Sequence, residues 1–313
     1  MSHFTVAAVC PQGTNQSNVR DVLEDLLAPY YEQGGPESQY TVFKDVTDKY
    51  KEKYAADTTG VVEAPDGELF SRYDERFRNP DWNPMSADSS AEQYLFPEGW
   101  TTRDAQVNEL YPSFEQYMVQ YCRFDFHTAH NAWGYYHNPN AKWDWWEIGG
   151  RWEGELTTKP GVSPADIIIG EPGVFGPADN AYTREGGRLG CDGCRKSDLD
   201  FEYAKAARIQ SVKDRWAAMA ADENAKDNPA VRLFEYGFDK DATLAGELSR
   251  AEQAEPFQTF AVLLDGSWFE RGEMGWWACI SDDKGKGMWC DEVKQLWDEI
   301  PEDAVIVIVD CHI

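Results

Sequence analysis

The sequence predicts an α+β fold, and three stretches predict it. Residues 3–10 read HFTVAAVC, a compact β run, and are followed by Val19, Val22, Leu23, Leu26 and Leu27 at helical spacing. Residues 259–270 form two apolar runs around Asp265-Gly266, the dipeptide that suits a two-residue hairpin turn. Residues 288–300 place Val293, Leu296, Trp297 and Ile300 on one helical face, Pro301 ends that pattern, and the run AVIVIVDCHI follows. A continuous apolar run of that kind fits a strand covered on both faces. Strand–helix at one end and hairpin–helix–strand at the other give the ferredoxin-like order βαββαβ, with a large, mostly helical and loop-rich insertion between.

In chain order, Asn18 caps the first helix and Pro29 closes it. Residues 40–46 suit a short strand; the rest of 30–110 is charged, Tyr-rich and broken by Pro65, Pro80, Pro84 and Pro97. Ser113 with Gln116 makes a capping-box pattern, with Phe114, Tyr117, Met118 and Tyr121 on one face. Residues 143–152 alternate Trp with Asp and Glu before Gly149-Gly150, which suits a strand meeting a bulge or turn. A Gly/Pro-rich loop over 160–190, a long helix over 197–224 and shorter helices over 230–236 and 243–252 come next, and 276–280 reads as a further strand. The expected division is a core of 1–30 with 140–156 and 257–313, an irregular and helical insertion over 31–139, and a loop-and-helix insertion over 157–256.

Charge narrows the function classes. Lys and Arg total 29 against 56 Asp and Glu, a formal net charge of −27. Phosphate contact needs a basic face, so direct binding of nucleic acid is not expected. An acidic surface instead suits docking on a basic partner. No run reaches the ~18 apolar residues of a membrane span. The opening MSHFTVAAVC is too short and uncharged for a signal peptide, and seven irregularly spaced Cys are no secreted disulfide framework.

Chemistry could reside in four places. Asp310 and His312 share a strand face, and a ferredoxin-like sheet would bring His3 beside them as a cluster for acid–base work. The stretch NPNAKWDWWEIGGRW offers Lys142, Trp143, Asp144, Arg151 and Trp152 as a ligand site. In it Arg151 and the backbone N–H groups freed by Gly149-Gly150 would grip a carboxylate or phosphate. A packed Trp-rich core with Lys and Arg stacked on indoles explains the same composition equally well. His127, His130 and His137 are metal-ligand types, but their spacing matches no zinc signature; no cofactor is expected, and zinc would have to use these. Cys191 and Cys194 form a CxxC in a Gly-rich loop, read as thiols that bridge or hold a subunit contact.

The opening Ser2-His3-Phe4-Thr5-Val6, the centre Asn138-Pro139 with Ala141-Lys142-Trp143-Asp144-Trp145 and Ile148-Gly149-Gly150-Arg151-Trp152, and the ending Asp310-Cys311-His312-Ile313 resemble a family of uncharacterised bacteriophage and prophage proteins. The stretch from Phe269 to Trp277 fits as well. The resemblance implies a viral accessory gene expressed in the host bacterial cytoplasm, and it carries no catalytic residues with it. The expected function is then an acidic accessory protein, itself oligomeric, that binds and inhibits a host protein with a basic surface. A DNA-acting anti-phage defence factor is the fitting target, with no catalysis by the accessory protein. The alternative is an enzyme or nucleotide-binding protein with a Trp/Lys/Arg/His pocket. Convergence of Arg151, Asp144, His3 and His312 would favour the alternative.

Overall fold

The computed structural model describes residues 2–80, 82, 92–170, 183–253 and 259–313. The chain divides into two compact units: Met1–Gln33 with Asn140–Ile313, and Gly34–Pro139. No helix among the described residues is long and apolar enough to cross a membrane.

The larger unit opens with β1 (His3–Cys10) and α1 (Val19–Leu27). Asn18 occupies the N-cap position of α1, but its side chain accepts from the Asn15 backbone N–H (2.8 Å) and does not cap the helix. Burial of Val19, Leu23 and Leu27 holds α1 instead, since a nine-residue helix has little stability of its own.

The smaller unit carries more strand than the expected irregular or helical insertion. Its elements are β2 (Val42–Asp45), α2 (Thr47–Ala56), β3 (Thr58–Glu63), β4 (Leu69–Ser71), β5 (Thr101–Gln106), α3 (Val107–Leu110), α4 (Phe114–Gln116), β6 (Asp125–His127) and β7 (Ala132–His137). They form two antiparallel sheets, ordered β2-β7-β6 and β4-β3-β5. Only Ala105 is buried in β5, so its sequence TTRDAQ lacks the apolar alternation that announces a strand. Ser113 caps α4 as expected, its Oγ accepting from Gln116 N–H, and the chain continues as a π-turn over Tyr117–Tyr121. Val46, Val107, Tyr117, Met118 and Trp133 are the core.

Back in the larger unit come β8 (Trp145–Ile148), β9 (Leu156–Thr157), β10 (Thr183–Arg184), β11 (Arg188–Cys191) and β12 (Gly193–Arg195). Then follow α5 (Phe201–Ala221), α6 (Glu223–Asp227), α7 (Pro229–Tyr236) and α8 (Leu244–Gln253). The unit ends with β13 (Ala261–Leu264), β14 (Ser267–Glu270), β15 (Glu273–Met274), β16 (Ile280–Ser281), α9 (Gly285–Glu299) and β17 (Val305–His312). Residues 171–182 of the expected Gly/Pro-rich loop lie outside the described residues. Val212, Met219, Ala225, Phe238 and Ala251 join the helices α5–α8 in one core.

The main sheet is mixed, in the order β12-β17-β1-β13-β14. β17 runs antiparallel to β1 from His3↔His312 to Cys10↔Val305. Its other edge is shared, β12 pairing residues 305–307 and β8 pairing 309–312. Alternate residues serve opposite faces. Val6, Ala8, Val307 and Val309 pack with Leu23 and Leu27 of α1. Ala7, Ile306 and Ile308 pack with Trp289, Val293 and Leu296 of α9. Both faces are thus covered, which is why β17 reads as an unbroken apolar run.

The expected element series βα…ββαβ is present, but its strand order is not the split arrangement. β13, the first strand of the hairpin, lies beside β1 and parallel to it, so no strand separates the two. The hairpin turn is Asp265-Gly266, both residues at positive φ. The strand expected over 276–280 is instead a tight turn between β15 and β16, with Trp277 and Ala278 in the left-handed region (φ 62° and 55°).

At the start of α5, Asp200 accepts from Tyr203 N–H (3.1 Å) and from Arg188 Nε (2.8 Å). Burial opposes its ionisation, but the Arg188 and Tyr203 bonds outweigh it and hold the carboxyl below the usual carboxylate range. A lowered native value means the stabilisation is present above the unfolded value of about 3.9 and is lost as pH falls through the native one. Asp200→Ala is expected to cost about 1–2 kcal/mol at pH 7, with the difference from wild type shrinking in acid. Urea unfolding at pH 7 and pH 3 measures it; a difference that grew in acid would contradict the assignment.

Candidate functional site

The register of β1 against β17 sets His3 opposite His312 and Thr5 opposite Asp310, all on the face that α9 covers further along. Pairing of β8 adds Trp145 opposite His312 and Glu147 opposite Asp310 on that same face. The face is therefore apolar under α9 and polar at its far end.

Two histidine–carboxylate pairs stand side by side there. His3 Nδ1 lies 2.8 Å from Asp310 Oδ1, and His312 Nδ1 lies 2.6 Å from Asp144 Oδ1. The ring centroids are 4.9 Å apart and nearly perpendicular, and Trp145 meets His3 edge-on at 6.1 Å. An ionised carboxylate only accepts hydrogen bonds, so each Nδ1 is the donor of its pair, which leaves Nε2 as the basic atom of the neutral form of each ring. Nε2 of His312 is buried and has no hydrogen-bond partner among the described residues. Leaving a buried polar atom unpaired costs about 1–3 kcal/mol, so an unmatched imidazole nitrogen at this point calls for a functional explanation.

The loop after β8 fixes Asp310. Gly149 and Gly150 have φ 72° and 54°, a conformation favouring glycine, and they let the chain turn back over two buried carboxylates. A Cβ at Gly149 would meet Asp192, and one at Gly150 would meet Asp310. Asp310, 1% exposed, accepts through Oδ2 from Arg151 N–H (3.0 Å). Asp192, 0% exposed, accepts from Gly154 N–H (2.6 Å) and Gly170 N–H (2.7 Å). The remaining amides are used as well: Gly149 on Ile308 O, Gly150 on Ile148 O, Trp152 on Gly149 O and Glu153 on Gly150 O. Backbone N–H groups freed to cradle an anion were the expectation here. The amides of residues 149–154, and that of Glu155 on Trp152 O (3.1 Å), instead donate inside the protein.

Compared with known protein families, curated proteins and solved structures, the chain matches nothing.

Of the residues picked out in the sequence, His3, Asp310, His312 and Asp144 converge, with the Arg151 backbone beside them. Lys142 and Trp143 do not join them. Lys142 pairs with Glu270 on β14 (2.5 Å), and Trp143 stacks on Tyr31 and donates its indole N–H to Leu27 O in the core beneath α1. Trp152 packs against the α9-side core. The stretch is thus part site and part core.

Among the described residues no group of three or more His, Cys, Asp or Glu is placed to hold a metal. His127 and His130 both meet Phe43, His130 stacking on it at 4.0 Å and bonding Tyr136 OH (2.8 Å). They lie on and beside a hairpin rather than on a helix, and His137 falls on the other face of β7 from Tyr136. Cys191 and Cys194 are free thiols, 0% and 1% exposed within the core, so they present nothing to a subunit surface. The hydrogen bond to Cys194 and then burial push the Cys191 thiol well up. Cys311, between Asp310 and His312 in sequence, points to the α1 face, where burial raises it too; neither is a poised nucleophile. Asp192 is not among the candidates the sequence offers, and Glu147 and Trp145 stand out there only as members of the Trp-rich stretch. Asp192 did have a signal, a lone acidic residue inside the CxxC.

Proposed function

We propose that the larger unit carries a general acid–base site, in which His3 oriented by Asp310 and His312 oriented by Asp144 act as a pair. The observation that supports it is the unpartnered Nε2 of His312 beside a second imidazole whose Nδ1 is likewise held by a carboxylate. In a hydrolysis, one neutral imidazole takes a proton from water as its oxygen bonds to the substrate. The other, protonated, gives its proton to the leaving atom as the old bond breaks. Exchange with solvent restores both rings. The carboxylates fix the tautomers and stabilise whichever imidazolium forms.

The probe is p-nitrophenyl acetate, a neutral activated ester. Wild type is expected to hydrolyse it at least tenfold faster than His3→Gln/His312→Gln, with each single variant losing most of that advantage. Equal rates for wild type and the double variant would sink the reading.

A second reading draws on the −27 net charge and the bacteriophage resemblance: an acidic accessory protein that inhibits a basic, DNA-acting host defence factor. The indole of Trp277, 80% exposed on a turn fastened to Ser2 Oγ through Gly275 O and Ala278 N–H, suits an interface anchor. Its measurement is capture of a host protein at low salt and release at high salt.

A further inference from the structure

The site's surroundings separate substrate classes. We propose that the acid–base site receives an organic cation, an ammonium or guanidinium group seated on the Trp145 indole beside Asp144; the inference rests on the acid–base reading. Four observations converge on it.

Trp145 is 46% exposed, unlike Trp143 in the core. It sits in register with His312 and in a T-shaped contact with His3, so a group on its exposed surface lies beside the two imidazoles. Its neighbour Trp146, on the opposite face of the same strand, is covered by Arg20 at 5.4 Å. Lys196 over Trp297 and Lys284 over Trp289 repeat the pattern at 5.4 and 5.5 Å. Among the described residues no Lys or Arg stands over Trp145. Indole faces attract cations, and the attraction grows when a carboxylate stands alongside.

The carboxylates are those already placed. Asp144 and Asp310 hold the two histidines, and Glu147 stands opposite Asp310 in the strand register. An anion approaching the imidazoles would meet Asp144 and Asp310, within a chain carrying −27 overall. The backbone donors that might have offset this repulsion, the amides of 149–154, are taken up by Ile308, Ile148, Asp310, Gly149, Gly150 and Asp192. A phosphate thus finds carboxylates and no backbone cradle, whereas a cation finds a ring and a carboxylate.

The test is NMR titration of the full chain with butylguanidinium, with a capped Gly-Arg-Gly peptide and with inorganic phosphate at fixed ionic strength, following the His3 and His312 imidazole and Trp145 indole signals. The guanidinium is expected to shift all three, with Trp145→Ala weakening it at least fivefold and Trp145→Phe restoring most of the loss. Peptide binding tighter than butylguanidinium would identify an arginine side chain, and equal binding a small cation; either supports the inference. Phosphate binding more tightly than guanidinium, or guanidinium binding unchanged in Trp145→Ala, overturns it. Ester hydrolysis keeps the two claims apart. Histidine-dependent hydrolysis without guanidinium binding removes this inference alone. Guanidinium binding without hydrolysis removes the acid–base reading and leaves a cation site.

Discussion

Gly150→Ala is expected to destabilise the protein by about 3 kcal/mol, with a drop in Tm of about 10 °C. Two costs combine. The residue holds φ 54°, which an L side chain adopts at a penalty of about 1 kcal/mol. The new methyl would overlap Asp310 Cβ and come within 2.5 Å of its Oδ2. Asp310 cannot swing aside, because its two oxygens are committed to His3 and to Arg151 N–H. Gly161→Ala is the comparison. It also has positive φ, at 85°, but nothing lies within 4 Å of the added carbon, so only the conformational cost remains. Thermal unfolding of the two variants separates steric overlap from backbone preference. If Gly150→Ala melts within 2 °C of Gly161→Ala, the close approach over Asp310 is wrong.

Asp310→Ala is expected to cost about 3–4 kcal/mol and to abolish the contribution of His3 to ester hydrolysis. The side chain is buried, and its removal leaves the Arg151 N–H without its acceptor and His3 Nδ1 without its carboxylate. Asp310→Asn separates the two effects. The amide nearly keeps the volume and can still accept from Arg151 N–H, so most of the stability returns. Its NH₂ then faces His3 Nδ1 as a donor, which turns the ring to the other tautomer and takes the basic atom away from the site. The expected pattern is a near-native urea midpoint with an ester rate like that of His3→Gln. A rate close to wild type in Asp310→Asn would show that Asp310 braces the fold and does not orient the imidazole.

What could be read in the sequence was what is local. The continuous run of β17, the Asp-Gly turn, the helical face of α9 and the opening β–α pair each carry their signal within a dozen residues, and each stands close to where it was expected. The Asp-Gly turn identifies which two strands pair through it. It does not say which of them lies against β1, and there the ferredoxin-like order gave way. β5 was hidden because five of its six residues are exposed. At the site, His3, Asp310 and His312 were accessible because strand alternation and one geometric guess bring them together. Asp144 finds His312 across 168 positions, through the pairing of β8 with β17, and no local pattern encodes that register. The glycine pair was read as a bare cradle because composition reveals donors but not where they are spent.

The pairing of β1 with β17 also bears on how the protein is made. A ribosome releases the chain from its N-terminal side, so β1 emerges early, carrying Val6, Ala7 and Ala8 with apolar surface toward both sides. Its antiparallel partner follows some three hundred residues later, and β8 and β12 must wait for that same partner before they gain an edge to join. From the synthesis of β12 until that of β17 the nascent larger unit therefore holds three strands that lack this partner. Closure of its sheet waits for β17, and until then the emerging chain exposes apolar strand surface that favours association with other chains.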